Sequence, residues 1–146
     1  KDIDLLIFRG RYFDIRKNEF TRRAYFINKK IDSFLNIEDY KKLIFKGYTP
    51  PHQSTLFNGK SKILYEGYNE NYKIAADLEF FCRIAKYNNL SIANFPLDII
   101  NISTGGVSDK KYLLKYKEVI KCYLNYFKFK FLLPLIYRYL NRLKQI

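Results

Sequence analysis

The chain is cut into short pieces. "DLLIF" and "RYFDI" meet at Arg9 and Gly10, a one-face apolar pattern from Asn36 stops at Gly47, and Pro50 and Pro51 follow at once. Later runs close at Gly67, at Asn88 and Asn89, and around Pro96. Glycine permits left-handed backbone, and proline fixes φ and removes a donor, so each of these positions ends or redirects an element. The pieces between them alternate between strand-like and helix-like patterning, which predicts an α/β domain. With 146 residues, 48% of them hydrophobic and 18% aromatic, there is material for one core. The sequence has no methionine, as expected of a processed or partial chain.

The spacing predicts short strands in "DLLIF" and "RYFDI", then a helix from Asn36 to Lys46 capped near Ser33 or Asn36. Extended backbone through "GYTPP" leads into a strand at Gln53 to Phe57, and a short helix is predicted from Lys60 to Tyr65. "LSIANF" and "LDIINI" read as two strands separated by Pro96. From Lys111, basic, aromatic and aliphatic residues alternate in one long helix, interrupted at Pro134 and ending near Lys144.

Between these lies "NYKIAADLEFFCRIAKYNN", where Leu78, Phe81, Cys82 and Ala85 share one helical face from Ala76 to Tyr87. Asp77 and Glu79 fall in its first turn. The positive end of the helix dipole favours carboxylates there, which suffices as a structural explanation. Proton transfer is the functional one.

Other motifs carry little. "NGKS" lacks the earlier glycine of a phosphate-binding loop, and the single His52 has no second ligand at metal spacing. Asp2 and Asp4 form a DxD, but they precede an apolar strand instead of standing at its exit, and read as a polar lead-in. Cys82 and Cys122 form no CxxC pair and suit a reducing cytoplasm. "FKFLLPLIY" is too short to span a bilayer.

The formal net charge is +13, and ten Lys or Arg against the single acid Glu118 put +9 of it between Lys110 and Ile146. Such a segment suits an anionic membrane surface, with the cations at headgroups and Tyr, Phe and Leu in the interface. Packing on the domain or on a second copy of the chain is the competing account. Nucleic acid is disfavoured, because the aromatics sit in apolar patterns and no RNP or KH signature is present.

The order of the pieces carries a resemblance. "HQ", an apolar strand, a short helix, "EGYNENYKIAADLEFFCR", a hairpin-like pair of strands and "GGVS" follow one another as in the C-terminal half of a bacterial family 2 glycosyltransferase. The resemblance covers roughly Leu5 to Ser108. It implies a partial GT-A, Rossmann-like fold, a mixed sheet with flanking helices, over residues 1–108, and a basic aromatic helical extension over 109–146. It implies inverting transfer of a sugar from a nucleotide-sugar donor to a hydroxyl of a saccharide or lipid-linked acceptor in bacterial surface polysaccharide synthesis, in the cytoplasm or on the inner face of its membrane. Asp77 then corresponds to the catalytic base, with Ala76 where the family often has Glu. His52 and Gln53 border the substrate pocket, Glu79 and Arg83 support the acidic turn, and Gly105 and Gly106 lie in a loop beside the diphosphate. A divalent cation, Mg²⁺ or Mn²⁺, is implied, with ligands outside this chain. Nothing before Lys1 matches the family's nucleotide-binding half, so the 146 residues alone are expected to show little transfer. The alternative is a basic, non-catalytic binding or assembly module for nucleic acid or an acidic polymer.

Overall fold

The computed structural model describes residues 2–28, 31–61, 67–104 and 111–143. Among them the fold is α/β, a mixed five-stranded sheet with flanking helices. The central strand β1, Leu5–Asp14, places Leu5 and Ile7 in the core, at the spacing of two that a strand imposes. "DLLIF" and "RYFDI" are therefore one strand, continuous through Arg9 and Gly10.

β1 shares one edge between two antiparallel partners. Its second half pairs with β2, Glu19–Ala24, and its first with the later β4, Thr55–Phe57. Between β1 and β2 the chain turns at Asp14, whose Oδ1 accepts from Arg16 N at 2.9 Å, and at Asn18, with φ +55°. β2 and β3, Ser33–Leu35, are elements the sequence pattern did not announce. The first is polar and largely exposed, and the second has three residues.

The other edge of β1 pairs in parallel with β5, Ile92–Ser103, and β3 lies antiparallel beside the start of β5. β5 corrects the two strands predicted around Pro96. The register runs Ile7 to Asn94, then Arg9 to Asp98, then Gly10 to Ile100, so β5 carries extra residues in a bulge holding Pro96. A residue without an N–H costs no ladder bond there, and Phe95 stacks on Phe8 at 5.4 Å between ring centroids. The sequence's hairpin-like pair is thus a single bulged strand.

The first helix, α1 at Ile37–Phe45, begins where Asn36 accepts from Asp39 N at 2.8 Å. It ends in a Schellman arrangement, Gly47 N to Ile44 O at 2.9 Å and Tyr48 N to Leu43 O at 3.1 Å, with Gly47 at φ +78°. Both ends match their sequence signals. Pro50 and Pro51 then lead into a 3₁₀ turn, His52–Ser54, ahead of β4. The helix predicted from Lys60 to Tyr65 lies mostly outside the described residues.

The second helix, α2 at Ala76–Ile84, buries Leu78, Phe81 and Cys82. The C-terminal segment forms two helices instead of one: α3, Tyr112–Phe127, and α4, Leu132–Leu143. The break falls at Lys128, which has φ +49°, and not at Pro134. Pro134 sits in the first turn of α4, where its missing N–H would have had no intrahelical acceptor.

One buried cluster joins Leu5, Ile7, Tyr40, Phe81 and Ile92 to Val119, Cys122, Tyr123 and Leu135. Burying each large apolar side chain contributes about 1.5–3 kcal/mol before entropy is charged against it. Tyr40 also donates to Phe81 O at 3.0 Å, tying α1 to α2. α3 and α4 thereby pack on the domain with one face and leave the other outside.

Candidate functional site

A cleft of about 220 Å³ opens among the end of β1, β2, the 47–53 segment, the start of α2, and α3 with α4. Tyr12, Arg22, His52, Gln53, Asp77, Lys115, Arg138 and Arg142 are among the residues that line it. Asp77 is the only carboxylate among the described lining residues. His52 and Gln53, about 25 positions earlier in sequence, line the same cleft as Asp77.

Local bonds explain how Asp77 is held. It is the second residue of α2, and its Oδ1 accepts from Leu78 N at 2.7 Å. The preceding cap position is Ala75, which has no side-chain acceptor. Glu118 reaches over from α3 instead and takes the N–H groups of Lys73, Ile74 and Ala75, each at 2.8 Å. The lone acid of the basic segment thus fixes the entry to the helix that presents Asp77.

His52 is placed by its own turn. Ser54 Oγ donates to Phe8 O at 3.0 Å and Thr55 Oγ1 to Pro51 O at 2.8 Å, pinning the turn against β1. Tyr68 OH lies 3.0 Å from His52 Nδ1, and the two rings meet edge to face. Burial first, and then the negative charge of Asp77, push the Tyr68 phenol above its ordinary value. Tyr68 is therefore a neutral hydroxyl at pH 7, near both His52 and Asp77.

Glu79 and Arg83 do not line the cleft. Glu79 is 3% exposed and accepts from Tyr126 OH at 2.7 Å, while Arg83 Nε stands 3.3 Å from the same Oε1. Arg83 Nη2 in turn donates to Gly67 O at 2.6 Å. The pair braces α2 against α3 and the Gly67–Tyr68 segment, so it reaches the site only by holding Tyr68. Gly105 and Gly106 lie outside the described residues.

Three arginines in the cleft carry no sequence motif. Arg22 comes from β2 and stacks over Tyr12 at 4.3 Å, while Arg138 and Arg142 come from successive turns of α4. Arg138 Nη1 donates to Thr49 Oγ1 at 2.6 Å, and its enclosed Nε has no hydrogen-bond partner among the described residues. Burial would lower the Arg138 value, but Tyr123 and the Asp77 charge outweigh it and leave it raised. Burial pushes Arg142 down, and repulsion from Arg138 and Arg22 adds to the shift. The cleft is a cationic wall facing one carboxylate.

The donor set does not suit the divalent cation implied by the resemblance. Hard cations want several carboxylate or carbonyl oxygens, and one carboxylate among arginines repels them. Among the described residues no three His, Cys, Asp or Glu groups converge. The two cysteines are buried thiols, and the value of Cys82 is raised by its contact with Cys122 and by burial.

No family model, curated protein or solved structure matches the chain.

Proposed function

We propose that the chain forms the acceptor side of an inverting glycosyltransferase of GT-A type, with Asp77 as general base. The observation that carries this reading is a single oriented carboxylate at the start of α2, in a cleft it shares with His52 and Gln53 and whose other charged lining is cationic. An acceptor hydroxyl in the cleft gives its proton to Asp77 as its oxygen bonds to the anomeric carbon. The bond from that carbon to the diphosphate oxygen breaks, and the leaving group departs with the electron pair. Cations around the cleft stabilise the charge that accumulates on it. The resemblance in the order of "HQ", "KIAADLEF" and "GGVS" adds the reaction class, and surface polysaccharide synthesis comes from that analogy alone.

The test is sugar transfer by the gene product that contains these residues, across UDP-, GDP- and dTDP-sugars. Removing a general base typically costs on the order of 10²–10⁴-fold in rate, so Asp77→Asn should lose that much turnover while keeping its fold and its nucleotide affinity. Equal turnover by the folded variant and the parent would reduce Asp77 to a helix-start carboxylate.

A further inference from the structure

The three arginines are not accounted for by proton transfer. Arg22, Arg138 and Arg142 arrive from β2 and α4, elements far apart in sequence, and their side chains line one cleft. Like charges brought together in a partly buried space repel, and at Arg142 this repulsion from Arg138 and Arg22 adds to the larger effect of burial. None of the three makes an ion pair among the described residues, although Lys41, Lys42 and Arg23 elsewhere each do. The Asp77 carboxylate in the same cleft offsets part of this repulsion for Arg138, and one carboxylate against three guanidinium groups leaves room for a further anion. Guanidinium groups suit phosphate oxygens because their donors form a fixed fork.

We propose that the Arg22, Arg138 and Arg142 wall is a binding site for a phosphate or diphosphate group, held beside Asp77. Asn141 lines the same cleft with its amide Nδ2 donating to Lys46 O at 2.8 Å, while Thr49 fixes the Arg138 guanidinium. The group has two sources under the transferase reading. It is either the nucleoside diphosphate that leaves or the phosphate that links an acceptor saccharide to lipid. The anion site itself does not need sugar transfer, so it can fail or hold independently of Asp77.

The test is calorimetric titration of the chain with inorganic pyrophosphate at fixed ionic strength. Arg22→Gln and Arg142→Gln are each expected to weaken binding roughly tenfold, as loss of a charge-assisted hydrogen bond does. Lys41→Gln with Lys42→Gln, on α1 and outside this cleft, should leave it unchanged. Circular dichroism checks that each variant is folded, and Arg142→Lys should recover only part of the loss.

UDP and a short alkyl diphosphate, used below its micelle concentration, separate the sources. Arginine-dependent binding of UDP alone assigns the leaving group, and binding of the alkyl diphosphate alone assigns the acceptor. Pyrophosphate affinity that is absent, or equally reduced by the lysine control, would overturn the site. So would a single-stranded oligonucleotide that binds more tightly than pyrophosphate through the same arginines, which would point to nucleic acid instead.

Discussion

Glu118 supplies the cap that the sequence of α2 omits, so the geometry of Asp77 depends on a residue 41 positions away. Burial alone would raise the Glu118 carboxyl, but three backbone N–H bonds and the nearby Lys121 outweigh it and leave the value lowered. A folded-state value below the unfolded one contributes stability that is fully present above the unfolded pKa, about 4.3 for a free Glu. That contribution is lost as pH falls through the lowered folded value. Glu118→Gln should therefore destabilise the protein by about 1–3 kcal/mol at pH 7, from weakened charge-assisted bonds to the N–H groups of Lys73, Ile74 and Ala75. Denaturant unfolding at pH 7 and at pH 3 checks this. The gap between variant and parent should shrink at the lower pH, and an undiminished gap would show that packing, not charge, sets it. Asp77 and Glu79 were both legible in sequence as first-turn carboxylates, but their separate fates follow from helix geometry. Two residues apart means roughly 200° around the axis, which sends Asp77 to the cleft and Glu79 to Tyr126. The arginines were not legible. In so basic a chain nothing in their spacing says that β2 and α4 bring Arg22 to Arg138 and Arg142.

At the scale of elements, signals confined to a few neighbouring residues were readable, and those set by distant partners were not. Asn36 and Gly47 delimit α1 because capping and left-handed backbone are local properties. Pro96 read as a strand break because the bulge that accommodates it exists only through pairing with β1. Pro134 read as a helix break, although the turn that separates α3 from α4 lies six residues earlier at Lys128. β2 has no sequence signal because an exposed, charged edge strand shows no apolar alternation. Gly47 also does more than end α1. A Cβ there would lie 2.6 Å from Arg138 Cα and 2.9 Å from Tyr137 C, both backbone atoms of α4. Gly47→Ala combines this clash with a positive φ and should destabilise the protein by several kcal/mol, on the order of 2–4. It should also displace Arg138 and Arg142, so any folded fraction loses pyrophosphate affinity. Thermal unfolding followed by the pyrophosphate titration checks both. Parental stability in the variant would mean that α4 does not pass this close to Gly47.

Across the whole molecule, α4 divides two environments. Leu135, Arg138 and Arg142 follow one face, toward the core and the cleft, while Leu132, Leu133, Ile136, Leu140 and Leu143 are exposed on the rest. Phe129 is 99% exposed between Lys128 and Lys130, at the tip joining α3 to α4. An apolar stripe of this extent beside exposed lysines matches a surface that offers hydrocarbon and negative charge together. No helix among the described residues is long and apolar enough to cross a membrane. Seated in this way, the opposite face of α4 would hold its arginines close to the headgroup level, where a lipid-linked phosphate would arrive. Cosedimentation with vesicles should then show binding to mixtures rich in anionic lipid and little to neutral ones. Raised salt should weaken it, because each basic residue near such a surface contributes about 1 kcal/mol through a screened field. Ile136→Ser with Leu140→Ser removes exposed apolar groups without touching the cleft. That variant should lose vesicle binding while keeping parental stability and pyrophosphate affinity. Vesicle binding unaffected by the pair would leave the lysines acting alone, and equal binding to neutral vesicles would remove the role of charge. The first result would count against α4 as the membrane seat, and the second against an anionic surface as its partner.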